Sequence, residues 1–481
     1  MSTSFDRRNF LKAVGLSLVA SGTSGLAAAT GKQVGPNIVF ILADDLGWAE
    51  LGCYGNTFNE THNLDTLARQ GMRFTDAYAS APVCSPYRAA FMTGQYPARV
   101  GITDYLRPND QNHLATEHVT VAKTLKRASY ATGIIGKWHL TGYANHGAKE
   151  FPPSLHGFDE MIVSENRGIG GGSYFHPYHF NKEIKKRLPG REHLVDRCNL
   201  EAVEFIERHK NEPFFLYLSH YAVHTTLDGK PELVEYFEKK PDAGKGQGAW
   251  RNNPHLAAQL KSIDDGVGMI MKKLAEISLL DNTVLIFSSD NGGESRVTSN
   301  EPLRAGKSTL YEGGIRIPLI VRYPKLITAA SVCHVPTSNI DLYPTLCGLA
   351  AVKPNPRQHI DGVSLIPLLS DPNADLKRDT LYWHYPLAKP HFLGGRSSGA
   401  VRKCDWKLIQ FFDTGRCELY NLAEDHGEQD NLIDKRADVT AELLSLLARW
   451  RKDVGAEIPP GQHANSPSTS VADRAGKHSG D

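Results

Sequence analysis

Two pairs of oxygen-bearing residues and one cysteine stand out in the 481-residue chain as groups that could act together. Asp44-Asp45 closes the apolar run NIVFILADD, and Asp290-Asn291 closes TVLIFSSDNGG. Carboxylate and amide oxygens are hard donors, so these pairs suit Ca²⁺ or Mg²⁺ rather than zinc. Either pair alone also reads as a helix cap or a turn. The cysteine opens the segment Cys84-Ser85-Pro86-Tyr87-Arg88, which runs on to Thr93-Gly94. Pro86 fits the first turn of a helix ending near Gly94. Cys84 then lies at the helix N-terminus, where the dipole favours negative charge, with Arg88 one turn away on the same face. A buried cysteine beside a surface arginine would show the same spacing. Lys137, His139, His224 and Lys307 are the further titratable candidates, the first three just beyond apolar runs.

The elements that must position these groups can be read from the same runs. NIVFILA, ATGIIG at 131–136, PFFLYLS at 213–219, TVLIFSS at 283–289 and IPLIVRYP at 317–324 are apolar throughout rather than alternating. Such runs suit strands covered on both faces, as in a parallel sheet. Helical patterns at 193–209 and 256–277 separate them, which predicts an α/β fold with a large mixed, mostly parallel sheet sandwiched by helices. Open α/β sheets bind ligands at the carboxyl ends of their strands. Asp44-Asp45, Lys137 with His139, His224 and Asp290-Asn291 are therefore expected at one edge. Past a polar, turn-rich stretch near 370–378, TLYWHYP, SGAVRKCDWKLIQFF and RCELYNL read as short strands with Asp413-Thr414-Gly415 as a hairpin turn, and a helix follows at 436–452. This predicts a smaller C-terminal α+β domain with an antiparallel sheet. The divisions expected are 1–30 an export signal, 36–372 a catalytic α/β domain, 373–458 the C-terminal subdomain and 459–481 a disordered tail.

The Cys84–Gly94 segment resembles the C-x-P-x-R…T-G signature of the formylglycine-dependent (type I) sulfatases of the alkaline phosphatase superfamily. NIVFILADDLGWAELGCYG, TGIIGKWHL, LIFSSDNGG, LRAGKSTLYEGGIRIP, NIDLYPTLCGLA and ELYNLAEDHGEQDNL are similar to sulfatase segments in the family's order, from about 37 to 432. The resemblance implies an alkaline phosphatase-like fold and an enzyme that cleaves sulfate esters. It implies that a maturation enzyme oxidises Cys84 to formylglycine. It favours Ca²⁺ over Mg²⁺, held by Asp44, Asp45, Asp290, Asn291 and the modified residue 84. It implies a mechanism in which the hydrated aldehyde attacks sulfur with one hydroxyl and expels sulfate with the other. In that scheme Arg88 steadies the diol, Lys137 and Lys307 clamp sulfate oxygens, His139 orients or deprotonates the diol and His224 protonates the leaving oxygen. Three departures from the pattern are Thr226 after AVHT where proline is common, Ser308 rather than glycine after Lys307, and GWAELG for GWGDLG.

Specificity is expected from loops at the edge. The segment 165–181, with His176 and His179, and the residues Tyr105, Arg107 and His113 are substrate-binding candidates, and their aromatic and cationic groups suit a sulfated carbohydrate. The general look is similar to N-acetylgalactosamine-6-sulfatase-like and other polysaccharide sulfatases. An aryl sulfatase, a phosphonate or phosphate monoester hydrolase of the same superfamily, or an exported binding protein without catalysis remain alternatives.

Lys and Arg number 54 against 53 Asp and Glu, so the chain has none of the basic excess of a nucleic-acid binder. No run reaches the ~20 apolar residues of a spanning helix, so stable membrane insertion is not expected. Arg7-Arg8 before a weakly apolar run and Ala27-Ala28-Ala29 read as a twin-arginine signal cleaved near Ala29. The protein is therefore expected to use the twin-arginine translocation machinery and to reside in the periplasm or outside the cell. Seven cysteines leave an odd thiol, which conversion of Cys84 would explain; buried free thiols are expected for the rest.

Overall fold

Strand β1 (Asn37–Ala43) shows why an uninterrupted apolar run was needed here. Its side chains alternate between two separate cores: Ile38, Phe40 and Leu42 face one, while Val39, Ile41 and Ala43 face the other. Both faces are covered, so every residue from Ile38 to Ala43 is apolar. This computed structural model describes residues 35–108, 110–142, 151–166, 173–245 and 252–462. The predicted export signal, the tail beyond Gln462 and positions 167–172 of the candidate specificity loop lie outside the described residues.

The remaining strands of the large sheet are β2 (Met72–Tyr78), β3 (Ala131–Gly136), β4 (Glu160–Ile162), β5 (Phe214–Ser219), β6 (Thr283–Ser289), β7 (Arg316–Arg322), β8 (Ser331–Cys333) and β9 (Thr337–Ser338). Their order is β4-β3-β5-β1-β6-β7-β2-β8, with β9 also on β2. The five from β4 to β6 are mutually parallel. The run at 317–324 forms β7, which is antiparallel to both β6 and β2. The sheet is therefore mixed and mostly parallel. Hydrophobicity fixes that a strand is buried but not its direction, and the long loop from Asn291 to Ile315 returns the chain to the same end of the sheet.

The small sheet is an antiparallel meander of β10 (Thr380–Tyr385), β11 (Ser398–Lys403), β12 (Trp406–Phe411) and β13 (Cys417–Asn421). Here the expectation of one strand over 398–412 is corrected. The chain turns at Cys404-Asp405, where Cys404 has φ 51°, so β11 and β12 pair with each other. Asp405 is a common turn residue, but Trp406 rather than glycine follows it, which hid the hairpin. The expected turn at 413–415 does join β12 to β13, with Gly415 N–H donating to Phe411 O. Helix Ala437–Val454 covers one face of this sheet through Leu443, Leu447 and Trp450. Trp383, Tyr385, Ile409 and Phe411 on the other face pack on Tyr78, Val83, Leu310 and Ile315 of the larger part.

A buried charge cluster also crosses this contact. Lys407 Nζ, wholly buried, lies 2.8 Å from Glu312 and 2.9 Å from Glu428. One ammonium between two carboxylates cannot satisfy both as anions. Accordingly burial pushes the Glu428 carboxyl up to about 7, whereas burial of Glu312 is outweighed by Lys407 and the neighbouring arginines, which bring it down to about 2. A raised folded-state pKa means that the Glu428 contribution is fully present below its unfolded value and is lost as pH rises through 7. In Glu428→Gln this loss is absent. The variant's melting temperature should therefore gain on that of the unsubstituted protein between pH 5 and 8, as a pH series of thermal melts would show; a constant difference would contradict the assignment.

Among the described residues no helix is long and apolar enough to cross a membrane, and all seven cysteines are free. Cys404 is exposed and Cys53 half-buried, whereas the other five are buried as expected.

Candidate active site

Parallel register brings the candidate groups together. Ala43 pairs with Ser289 and Leu42 with Ser219, while Ser219 also pairs with Gly136. Asp44, Asp290 and Lys137 are each the next residue, on strands spaced about 4.8 Å apart. His224 follows four residues after His220 on the neighbouring strand's exit. Helix Cys84–Thr93 begins and ends as its sequence requires, with Pro86 in its first turn and Gly94 closing it at φ 68°.

Arg88 is the hub. Its Nη2 donates to Asp44 Oδ2 and Asp290 Oδ2, both at 2.7 Å, and its Nη1 donates to Ser219 Oγ at 2.6 Å. Nε is buried without an acceptor among the described residues. Lys137 Nζ also donates to Asp44 Oδ2, and Lys307 Nζ donates to Asp45 Oδ2 at 2.6 Å. Asn291 Nδ2 donates to Asp45 Oδ1 at 2.8 Å. Asp44, Asp45, Cys84 and His224 place one ligand atom each within 4.8 Å of one another. Asp44 Oδ1 and Asn291 Oδ1 are buried with no donor among the described residues. Two buried oxygens lacking donors, beside Asp45 and Asp290, fit a hard cation such as Ca²⁺.

The protonation pattern follows from burial. Burial raises Asp44, but Lys137 and Arg88 outweigh it and hold the carboxyl far below its ordinary range. Asp290 is pushed up to about 6 by burial and by the Asp44 charge. Cys84 is pushed up to about 12 by burial, which Lys137 and Lys307 only partly offset. The expected benefit of the helix N-terminus is thus overridden, and an unmodified thiol here is a poor nucleophile at neutral pH.

Both histidines are neutral. His139 is driven well below its ordinary value by burial and then by Lys137, and His224 is lowered to about 3 by burial and then by Lys307. His139 Nε2 is 2.9 Å from Leu106 O, so that nitrogen carries the proton and leaves Nδ1 as a buried lone pair with no donor among the described residues. His224 Nδ1 faces Thr225 O at 2.6 Å, which leaves Nε2 free, 3.7 Å from Asp45 Oδ2.

Sequence reading missed Glu165 as a site residue, having placed it at the start of a specificity loop. Its buried carboxylate accepts from Trp138 N–H at 3.0 Å, His139 N–H at 2.5 Å and the Tyr221 hydroxyl at 2.8 Å. It clamps the turn after β3, where His139 has φ 53°. No spacing rule links it to position 139; only the fold does. Glu165→Ala removes several charge-assisted hydrogen bonds worth about 1.5–3 kcal/mol each. It should lower kcat about 10–100-fold more than it alters KM, because the imidazole is misplaced rather than the substrate site removed. An unchanged kcat would show that the clamp does not position His139.

The substrate candidates divide. Tyr105 and Arg107 flank Leu106, whose N–H donates to Ser85 Oγ and whose carbonyl accepts from His139; Tyr105 packs in the cluster that holds Val83, while the exposed Arg107 pairs with Asp104. His113 stacks on Phe151 at 3.5 Å and bridges to Thr141, and His176 Nε2 meets Ile184 O. These contacts hold loops in place. His179 is exposed. Ser308 takes φ 72° with its hydroxyl buried and unpartnered among the described residues, which accounts for a glycine preference and costs about 1 kcal/mol. Thr226 is exposed beside His224.

Comparison with known proteins places this arrangement. The sulfatase family model matches residues 36–352, and the model of the N-sulphoglucosamine sulphohydrolase C-terminal region matches 305–453. Human arylsulfatase A is 34% identical over 90% of this chain and 89% of its own length. Human N-acetylgalactosamine-6-sulfatase is 32% identical over 90% and 88%. A crystal structure of Ps i-CgsB in complex with k-i-k-neocarrahexaose superposes with a TM-score of 0.77 at 30% identity, covering 89% of this chain and 94% of that one. The chain belongs to the sulfatase family, the hydrolases of sulfate esters.

Proposed function

We propose that this protein cleaves sulfate from a sulfated carbohydrate, using a formylglycine made from Cys84 and a bound Ca²⁺. The observation that carries this reading is the buried centre around Cys84. Asp44, Asp45 and Asp290 face Arg88, Lys137 and Lys307, so three negative charges meet three positive ones. A divalent cation held by Asp44, Asp45, Asp290, Asn291 and residue 84 leaves the site about two charges positive, which suits an anionic ester. When present, the cation and the hydrated aldehyde supply a polarised oxygen nucleophile.

The protein's own groups do the rest. Arg88 fixes the two carboxylates against each other. Lys137 and Lys307 turn towards the sulfate oxygens as charge develops there. The His139 Nδ1 lone pair accepts the nucleophile's proton. His224 Nε2, the ring nitrogen not tied to Thr225 O, delivers a proton to the leaving oxygen once the ring has taken one up from solvent. The arriving anion favours that uptake against the burial and Lys307 that otherwise hold the ring neutral.

Around that centre, residues 36–372 act as the catalytic domain and 373–458 as the C-terminal subdomain. Residues 1–30 direct export through the twin-arginine machinery to the periplasm, with a formylglycine-generating enzyme as the maturation partner. Carbohydrate specificity is favoured by the similarity to a protein crystallised with neocarrahexaose and to N-acetylgalactosamine-6-sulfatase.

The test is peptide mass spectrometry of Cys84 after co-expression with a maturation enzyme, joined to a sulfate-release panel. The panel comprises sulfated galactose and N-acetylgalactosamine saccharides, 4-nitrophenyl sulfate and 4-nitrophenyl phosphate. Aldehyde at position 84 with release from saccharides is the expected result. An unmodified thiol in an active enzyme overturns the nucleophile, and faster release of phosphate than sulfate favours the monoester hydrolase.

A further inference from the structure

The loop between β10 and β11 reaches from the small sheet back to this site. Gly395 lies so close to Ser308, the neighbour of Lys307, that a Cβ there would fall 1.9 Å from the Ser308 carbonyl. On the same loop His391 stands edge-on to Tyr105 at 5.6 Å and is stacked by Phe392 at 4.4 Å. Leu393 N–H donates to His391 Nδ1 at 3.1 Å, which assigns the ring proton to Nε2 as a donor. Phe392 is 68% exposed, the largest exposure among the large apolar side chains described. The Arg296 guanidinium lies over its ring at 5.1 Å.

Arg296 is itself held in place. It pairs with the buried Glu294 at 2.5 Å, and Glu294 also accepts from Thr225 Oγ1, next to His224, at 2.8 Å. A chain of contacts thus runs from Tyr105 through His391 and Phe392 to Arg296, which reaches the His224 turn through Glu294 and Thr225. The Phe392 ring faces solvent under a guanidinium, beside the largely buried His391, whose Nε2–H has no acceptor among the described residues. The patch offers an apolar face, a cation and a hydrogen-bond donor on segments that touch Ser308, next to Lys307, and Thr225, next to His224.

We propose that His391, Phe392 and Arg296 form a second subsite, which takes a neighbouring sugar ring bearing its own anionic group. The inference rests on the carbohydrate-sulfate reading above. A sugar's C–H face suits the Phe392 ring, its hydroxyls suit His391, and a second sulfate or carboxylate suits Arg296. It follows that the preferred substrate is a polyanionic oligosaccharide rather than a lone sulfated monosaccharide.

The test uses the mature full chain, with KM and kcat measured on the sulfated oligosaccharide that releases sulfate fastest in the panel. Phe392→Ala should raise KM about five- to tenfold through lost stacking while kcat is retained. Arg296→Ala should do likewise for oligosaccharides with a second anionic group, and Arg296→Lys should restore part of the loss. Phe392 is mostly solvent-exposed, so its variant folds, and unchanged melting checks this. KM within about twofold in both alanine variants, or a fall in kcat at constant KM, overturns the subsite alone. Release from 4-nitrophenyl sulfate but from no saccharide overturns the carbohydrate reading, and the subsite with it.

Discussion

Cys84→Ala is expected to lower sulfate-ester hydrolysis by about 10⁴-fold or more, the order seen when a covalent nucleophile is deleted. The physical case does not rest on the position alone. Residue 84 opens a buried helix turn between Lys137, Lys307 and the acidic cluster. As a thiol it is pushed up to about 12 by burial, so it is protonated throughout the physiological range. Protein made without a maturation enzyme should therefore be nearly as inactive as the alanine variant, although its fold is unchanged. Cys84→Ser separates the two needs: it keeps an oxygen, yet a serine sulfate ester would still have to be hydrolysed by water. A single slow turnover without steady release is expected, read as a burst of alcohol product from 4-nitrophenyl sulfate. Full activity in Cys84→Ala would sink the assignment.

Arg88→Leu should be the most damaging substitution for stability. Arg88 is 1% exposed and its guanidinium bridges Asp44 and Asp290, which are both fully buried. Removing one partner of a buried ion pair leaves an uncompensated charge and costs about 3–5 kcal/mol. The cost is greater here in one respect, since Arg88 also satisfies Ser219 Oγ at 2.6 Å. Arg88→Lys keeps the charge but not the planar fork that reaches both carboxylates and Ser219, so it should recover only part of the loss. Denaturant midpoints with added Ca²⁺ and with chelator would measure this. Ca²⁺ should stabilise the unsubstituted protein, and it should stabilise Arg88→Leu by more, because the cation then faces two carboxylates with less competing charge. Equal midpoints for Arg88→Leu and the unsubstituted protein would refute the hub role.

Much of the architecture was written in the order of residues. Runs such as Asn37–Ala43 are apolar at every position because both faces are buried, and that property is local, so the strands, the intervening helices and the polar residues at their ends could be read directly. The cysteine signature and the Asp pairs were equally legible, because helix caps and strand ends are set by neighbours in sequence. Strand direction was not, since β7 is as apolar as its parallel neighbours yet runs antiparallel to them. The hairpin at Cys404-Asp405 was also hidden, for want of glycine or asparagine at the turn.

What tertiary structure alone decided is how the site is supported and protonated. Glu165 reaches His139 across 26 residues, and Arg88 joins carboxylates separated by 202 and 44 positions. No periodicity encodes such pairs. Charge state likewise depends on burial: a helix N-terminus favours a thiolate by fractions of a kcal/mol to about 1 kcal/mol, whereas desolvation of a fully buried group shifts its pKa by several units the other way. Local sequence is therefore enough to tell which strand-end residues gather at one edge of the mostly parallel sheet. Only the folded chain decided which of them are charged, which oxygens are left for a cation, and which loop of the small sheet closes the rim, because each of these depends on what is excluded from water by residues far away in sequence.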